Sequence, residues 1–239
     1  MLRNSSRKSD IQISVVVPTL NEEKYLKTCL ENLESDLKGK KHEIIIVDGN
    51  STDRTLEIAA LYTKKIIRGK NPIGAARQAG LKAARSNIVA FIDADSFPLK
   101  GWSRAAIDAI SKPGIVMAFG PAKAVEDIPL KSGFEFLYNF IISSMHRMGF
   151  SHVSGFNMVL NKKLALKAGG FNPNLHVFED IDLALRIIDY GKILYSDNLV
   201  VKSSVRRLKS FSGVIPYFKS WFSYLRNGST EDVEFIPIR

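Results

Sequence analysis

The chain has 239 residues, of which 45% are hydrophobic, and its 34 Lys and Arg against 24 Asp and Glu give a formal net charge of +10. This length suits one large domain or two small ones, and the hydrophobic share excludes a largely disordered chain. The single cysteine, Cys29, excludes an intramolecular disulfide and with it the class of small secreted disulfide scaffolds. The positive charge favours an anionic partner, such as a phosphorylated substrate, nucleic acid or a membrane surface.

The first half of the chain alternates predicted strands with predicted helices. Short β-branched runs predict strands at 13–17, 43–47, near Ile66 and at 88–92. Apolar spacing and turn residues predict the intervening helices at 22–35, 55–62 and 73–84. Asn21 is expected to cap the first helix, and Cys29 is expected on its buried face. Alternation of this kind indicates βαβ units and a parallel sheet.

The second half is less regular. The pattern predicts helices at 101–111, 134–148, 164–168 and 179–190, and strands at 115–118 and 153–160. In the last helix, the predicted buried face consists of Ile181, Ala184, Leu185 and Ile188. The whole chain is therefore predicted to be a single α/β domain, with a mostly parallel central sheet flanked by helices.

Three predicted strands end in polar loops, at 18–22, 48–53 and 93–95. Because ligands of open parallel sheets bind at the carboxyl ends of the strands, these loops are expected to form one binding edge. The sequence contains neither G-x-G-x-x-G nor a Walker P-loop, which argues against a dinucleotide-binding enzyme and a P-loop NTPase.

Asp93 and Asp95 follow the predicted strand 88–92. In an extended chain, residues i and i+2 point to the same side, so the two carboxylates could share a hard divalent cation. Mg²⁺ or Mn²⁺ bridging a diphosphate is the usual use of such a pair. Asp180 and Asp182 have the same spacing, but a helix would turn their side chains apart. The loop 18–22 with Asp48 is interpreted as a cradle for the base and ribose of a nucleotide.

Seven segments in this order resemble the motif series of the family 2 glycosyltransferases, which have the GT-A fold and invert the anomeric centre. The resemblance covers about Ile13 to Arg207. The segments are Val17-Pro-Thr-Leu-Asn-Glu-Glu23, Val47-Asp-Gly-Asn-Ser-Thr-Asp-Arg-Thr55, Gly74-Ala-Ala-Arg77, Phe91-Ile-Asp-Ala-Asp95, Gly155-Phe-Asn-Met158, Gly169-Gly-Phe171 and Glu179-Asp-Ile-Asp-Leu183.

The resemblance assigns a donor side to the site. It implies that Pro18, Thr19 and Glu22 line the nucleotide, that Asp48 contacts the base, and that Arg77 holds the base or the diphosphate. Asp93 would face the ribose and the metal, and Asp95 would bind the metal, Mn²⁺ or Mg²⁺, directly. Many relatives carry two adjacent acids after the second strand, where this chain has Gly49, so UDP-type and GDP-type sugars both remain open.

The resemblance also assigns an acceptor side. Asp180 is implied as the catalytic base, supported by Glu179, and Gly155, Phe156 and Asn157 would shape the pocket for the sugar and the acceptor. The expected reaction moves a sugar from a nucleotide-diphosphate sugar to a hydroxyl of a glycan or lipid-linked acceptor. The metal would neutralise charge on the leaving diphosphate, and one carboxylate would take the proton of the hydroxyl.

Other functions make different demands on the sequence. A polyprenyl-phosphate acceptor would already be ionised and would need no base. A sugar-phosphate nucleotidyltransferase would carry a glycine-rich basic loop after the first strand, whereas 18–22 has no glycine. A nucleic-acid-binding protein would interleave basic and aromatic residues, whereas the aromatic residues at 211–225 form an apolar stripe. No nucleic-acid partner is therefore expected.

The predicted organisation has four parts: a flexible basic tail (1–10), a nucleotide-sugar-binding half (11–120), an acceptor-binding half (121–207) and a basic amphipathic segment (208–239). Arg206 and Arg207 are expected to close over the diphosphate. The apolar stripe from Phe211 to Leu225 is expected either to contact an anionic membrane surface or to pack on the sheet. A cytoplasmic protein, peripheral at the inner face of the cell membrane, would fit the first alternative.

Overall fold

The computed structural model of the chain describes residues 11–149 and 153–206. The predicted tail 1–10, Arg207 and the segment 208–239 lie outside these residues, and with them the predicted membrane contact of Phe211 to Leu225. Within the described ranges, no helix is long and apolar enough to cross a bilayer.

The described residues form ten strands and seven α-helices. The strands are β1 (Ile13–Thr19), β2 (His42–Asp48), β3 (Ile66–Arg68), β4 (Ile88–Ile92), β5 (Ser96–Pro98), β6 (Ile115–Phe119), β7 (Ala122–Ala124), β8 (Asn157–Asn161), β9 (Lys192–Tyr195) and β10 (Val201–Ser203). The helices are α1 (Leu26–Leu37), α2 (Thr55–Ala60), α3 (Ile73–Ala83), α4 (Trp102–Ser111), α5 (Lys131–Arg147), α6 (Lys162–Lys167) and α7 (Glu179–Ile187), and a 3₁₀ turn (Ile188–Tyr190) follows α7.

A seven-stranded sheet with the order β3-β2-β1-β4-β8-β6-β9 forms the centre of the molecule. β1 runs parallel to β2 and β4, and β2 runs parallel to β3. β8 is antiparallel to both of its neighbours, β4 and β6. A second sheet of three short strands has the order β5-β10-β7. The predicted α/β architecture with a mostly parallel sheet is confirmed.

Hydrophobic residues are buried on both faces of the central sheet. One cluster includes Leu30, Leu33 and Trp102 from α1 and α4, and Cys29 lies within it as predicted, with no exposed surface. The other cluster includes Leu81 of α3 and Leu183 of α7. Burial on both faces explains why the parallel strands read as continuous β-branched runs rather than as alternating patterns.

The predicted capping role of Asn21 is wrong. The first helix begins at Leu26, and Tyr25 is its N-cap residue, without a side-chain capping bond. Asn21 has a left-handed backbone (φ 56°), and its Oδ1 accepts the N–H of Thr52 at 2.8 Å. Its side chain therefore joins the loops after β1 and β2, a partner thirty-one residues away that no local capping pattern contains.

The predicted buried face of the last helix is also wrong in part. Leu185 and Ile188 are 49% and 43% exposed, whereas Leu183, Ala184 and Ile187 are fully buried. Glu179 is buried as well, so the inward face follows the spacing Glu179, Leu183 and Ile187. The buried face of α7 is therefore rotated by part of a turn from the predicted face, because it includes the charged residue Glu179.

Short strands account for the remaining differences. β5, β7 and β10 have three residues each, and β9 has four, too few for a periodic pattern. The predicted strand 153–160 begins only at Asn157, and residues 153–156 form a loop. That loop faces the start of α7, where the N–H of Gly155 donates to Asp180.

Replacement of Gly80 by Ala is expected to destabilise the protein. Gly80 brings α3 close to β1, and an added Cβ would overlap Cγ1 of Val16, a fully buried side chain. Overpacking of this kind costs about 1–3 kcal/mol, which thermal unfolding would show as a lower melting temperature. Gly133→Ala on α5 is the matched control, because nothing lies within 4 Å of its added Cβ. Equal melting temperatures of the two variants would contradict the close approach.

Candidate active site

The loops after β1, β2 and β4 meet at the carboxyl edge of the central sheet, as the parallel order requires. The backbone N–H of Glu22 donates to Thr55 Oγ1 at 2.8 Å, and that of Asn21 donates to Ser51 Oγ at 2.9 Å. Arg206 pairs with both Glu22 of the first loop and Asp95 after β4. The expectation that the three polar loops share one edge is therefore confirmed.

Asp48 organises the loop after β2 from a fully buried position. Its Oδ2 accepts the N–H groups of Asn50 at 3.0 Å and Ser51 at 2.9 Å, and its Oδ1 accepts the hydroxyl of Thr19 at 3.2 Å. These bonds link the first two strand ends. A contact between Asp48 and a nucleotide base stays a prediction.

Asp93 and Asp95 do not continue the extended chain of β4, contrary to the expectation. The strand ends at Ile92, and a turn follows in which the N–H of Ser96 donates to the carbonyl of Asp93 at 2.9 Å. The turn gives each carboxylate an arginine of its own. Arg77 Nη2 lies 2.9 Å from Asp93 Oδ1, and Arg206 Nη2 lies 3.1 Å from Asp95 Oδ2.

Arg206 joins the first loop to the acids after β4. Besides Asp95 it forms an ion pair with Glu22, and its guanidinium carbon lies 4.9 Å from the ring centroid of Tyr25. Glu126 accepts the N–H of Val205 at 2.8 Å, which fixes the chain just before the arginine. Of the residues predicted for the donor side, Glu22, Asp95 and Arg206 are thus brought into contact.

Arg77 is 3% exposed and bridges two carboxylates. Nη1 pairs with Glu179 and Nη2 pairs with Asp93, while Nε has no hydrogen-bond partner. Burial alone would lower the pKa of Arg77, but the negative charges of Glu179 and Asp93 raise it above its ordinary value. The arginine is therefore a permanent buried cation between the loop after β4 and the start of α7.

Asp180 and Asp182 diverge as predicted. Asp180 Oδ2 accepts the N–H of Gly155 at 2.7 Å, whereas Asp182 forms an ion pair with Arg186 one turn later. Asp180 is the second residue of α7, so its charge interacts favourably with the positive end of the helix dipole. Only Asp180 of the two lies on the side of Gly155 and Glu179.

The other two residues of the predicted acceptor pocket have inward contacts. Asn157 is 1% exposed, accepts the indole N–H of Trp102 at 2.9 Å and donates to the carbonyl of Leu199 at 2.6 Å. Phe156 is half-buried and packs against the cluster of α1 and α4. Their predicted role in an acceptor pocket stays a prediction.

Tyr138 on α5 also lies beside these residues, although the sequence did not single it out. Its hydroxyl lies 3.3 Å from Ser154 Oγ, next to Gly155. Burial raises the pKa of Tyr138, and the negative charge of Asp180 raises it further. The residue belongs to no motif, and an aromatic-rich helix alone does not indicate which ring faces the site.

Glu179 has a strongly shifted titration. Burial raises its pKa to about 7, with the charge of Asp180 adding to the rise and that of Arg77 opposing it. The start of α7 thus carries a buried acid with a raised pKa beside a second acid, Asp180, which accepts a backbone N–H.

The sequence of the chain is similar to those of proteins whose family is known. The family described as "Glycosyl transferase family 2" matches residues 14–167, more than half of the chain. The chain is 26% identical over 238 residues to "Dolichyl N-acetyl-alpha-D-glucosaminyl phosphate 3-beta-D-2,3-diacetamido-2,3-dideoxy-beta-D-glucuronosyltransferase" of Methanococcus voltae, covering 89% of this chain and 71% of that protein. Seven further relatives match over 15–61% of their own length.

Solved structures share the fold. The mannosyltransferase PcManGT of Pyrobaculum calidifontis, in complex with GDP-Man and Mn²⁺, superposes with a TM-score of 0.65 at 19% identity, over 81% of this chain and 57% of that chain. The glucosyl-3-phosphoglycerate synthase of Mycobacterium tuberculosis, in complex with Mn²⁺ and UDP-Glc, gives 0.63 at 20% identity, over 91% and 79%.

Replacement of Glu179 by Gln is expected to remove a pH dependence of stability. Between the ordinary pKa of 4.5 and the raised value of about 7, the folded protein binds more protons than the unfolded chain. The free energy of unfolding of the parent should therefore fall as pH rises through this range, by on the order of 1–3 kcal/mol.

Urea unfolding at stepped pH measures this slope. The Gln variant should lack it, and Glu57→Gln, which changes an exposed acid of α2, should keep it. A parental slope that survives in the Glu179→Gln variant would assign the titration to another group.

Proposed function

The chain belongs to glycosyl transferase family 2, and we propose that it transfers a sugar, with inversion, from a nucleoside-diphosphate sugar to an acceptor hydroxyl. The observation that carries the proposal is the grouping of carboxylates at one edge of the sheet. Asp93 is joined to Glu179 through Arg77, and Asp180 follows Glu179 directly. Arg77 thus connects Asp93, which we assign to the donor side, with Glu179, which directly precedes the proposed base Asp180.

The donor chemistry fits a divalent cation that bridges a diphosphate. Asp93 and Asp95 offer hard oxygen ligands from one turn, and Mg²⁺ is commonly held by one or two carboxylates together with substrate phosphates. The described residues contain no group of three or more His, Cys, Asp or Glu side chains placed to hold a metal by themselves. The proposed metal would bind together with the nucleotide and would neutralise charge on the diphosphate.

Arg206 is proposed to serve the diphosphate, as the sequence predicted together with Arg207. Its guanidinium now neutralises Glu22 and Asp95. A ligand that supplies positive charge at Asp95 and negative charge beside it would favour a shift of Arg206 towards the phosphate. Arginine suits this role because its planar guanidinium binds phosphate oxygens in pairs.

Asp180 is proposed as the base. Removing the proton of an attacking hydroxyl needs one carboxylate placed near the acceptor, and inversion needs no second acid. The N–H of Gly155 fixes one oxygen of Asp180. Tyr138 and Ser154 lie beside Gly155, so α5 would contribute to the acceptor side, within the half proposed for acceptor binding (121–207). Residues 11–120 would bind the nucleotide sugar.

Either UDP or GDP sugars are compatible with the proposal, since solved relatives hold GDP-Man or UDP-Glc with Mn²⁺. The name of the Methanococcus voltae relative describes a dolichyl-linked acceptor. A glycan or lipid-linked acceptor is therefore proposed for this chain.

Asp95→Ala is expected to abolish the metal-dependent part of nucleotide binding. A nucleoside diphosphate should raise the parental melting temperature more with Mn²⁺ than with a chelator, because binding to the native state stabilises it. The Ala variant should show the same small rise in both conditions. Asp108→Ala, which removes an exposed acid of α4, is the control and should behave as the parent. A full Mn²⁺-dependent rise in the Asp95 variant would overturn the metal assignment.

Asp180→Asn is expected to lower turnover by ~10²–10⁴-fold, the usual contribution of a general base. The affinity for the nucleoside diphosphate should persist, since the change keeps the shape of the side chain. Asp182→Asn, two residues along the same helix, is the matched control. Unchanged turnover in the Asp180 variant, with the sugar nucleotide still consumed, would favour an acceptor phosphate that is already ionised.

A further inference from the structure

Arg77 connects three separate parts of the chain through one guanidinium. It is a residue of α3, and its two Nη atoms pair with Asp93 after β4 and with Glu179 at the start of α7. The side chains of Arg77 and Glu179 are each 4% exposed. A buried ion pair that loses one partner leaves an uncompensated charge, so Glu179 cannot move away from Arg77 at low cost.

Gly155 lies directly against this guanidinium. A Cβ atom at residue 155 would be 2.6 Å from Arg77 Cζ and 2.7 Å from Nη2, well inside normal contact distance. The far end of an arginine often moves aside for a new neighbour. Here both Nη atoms are engaged by carboxylates in a buried place, so the guanidinium cannot move without loosening Asp93 or Glu179.

The same residue fixes the proposed base. The N–H of Gly155 donates to Asp180 Oδ2 at 2.7 Å. Gly155 therefore acts in two ways. The absence of a side chain leaves room for Arg77, and its backbone N–H orients Asp180. Any change that pushes the loop 153–156 away from Arg77 also withdraws the hydrogen bond from Asp180.

We propose that Gly155 and Arg77 form a positioning pair that sets the carboxylate of Asp180 relative to Asp93, and that Arg77 serves this pair rather than the nucleotide. The role in turnover rests on the proposed function, whereas the packing relation between residues 77 and 155 does not. Geometry of this kind matters because a small misplacement of a reacting group can cost about 10²-fold in rate.

The packing relation is tested by thermal unfolding of the full chain, with no substrate present. Gly155→Ala, Arg77→Met and the double variant are compared with the parent. Gly155→Ala should lower the melting temperature by about 5 °C or more in the parent, and by much less in the Arg77→Met background, because the guanidinium that the new methyl group meets is then gone.

Gly133→Ala on α5 controls for the general effect of replacing a helical or loop glycine. If Arg77→Met does not fold, Arg77→Lys takes its place, since Lys keeps the charge beside Glu179 but lacks the planar guanidinium. Equal effects of Gly155→Ala in the two backgrounds would overturn the proposed pair.

The positioning role is tested by separating turnover from binding. Gly155→Ala should lower kcat at least 10-fold and change the Kd for the nucleoside diphosphate with Mn²⁺ less than about 3-fold. Arg77→Lys should show the same split, with a smaller loss than Arg77→Met. A Kd weakened as much as kcat would make Arg77 a nucleotide ligand and overturn the proposal. A parent without any transferase activity would instead refute the proposed function, and the unfolding comparison would still decide whether the pair exists.

Discussion

The buried guanidinium of Arg77 is the constraint on which the site depends. A cation with 3% exposure is tolerated only where carboxylates accompany it, and the two that do so come from different elements. Asp93 follows β4, and Glu179 begins α7. The arginine thus fixes the distance between two loops that the sheet alone leaves independent. Because Asp180 is adjacent to Glu179, the same ion pair also determines where Asp180 lies.

The topology of the sheet explains how these loops come to face one another. β1, β2 and β4 are parallel, so their following loops share an edge. β8 enters next to β4 in the opposite direction, and its first residue, Asn157, pairs with Ile92, the last residue of β4. The loop that precedes β8 therefore reaches the same edge as the turn after β4. Gly155 stands beside Arg77 and Asp180 because an antiparallel strand was inserted at this point of a parallel sheet.

The sequence predicted what local patterns determine and missed what distant partners determine. The buried strands and most helices follow from β-branched runs and apolar spacing, and the parallel order predicted the edge at which the polar loops meet. Asn21 was misassigned because its partner, Thr52, lies in another loop. The buried face of α7 was misplaced because Glu179 is buried only through Arg77, which lies more than a hundred residues earlier. Three-residue strands such as β7 and β10 exist only through pairing, which no periodic pattern records.

The ion pairs at this edge of the sheet give the two arginines different roles in the proposed reaction. Four of the acids at this edge, Glu22, Asp93, Asp95 and Glu179, form ion pairs with two arginines. Arg77 is enclosed and joined to both halves, so it remains in place whatever binds. Arg206 is more accessible, at 15% exposure of its side chain, and lies near the end of the described chain. A divalent cation at Asp95 would compete with Arg206 for the same oxygen, and the arginine would then be available to a diphosphate. In this arrangement Arg77 would maintain the geometry and Arg206 would respond to the ligand, because a cation bound at Asp95 would compensate that carboxylate in place of Arg206.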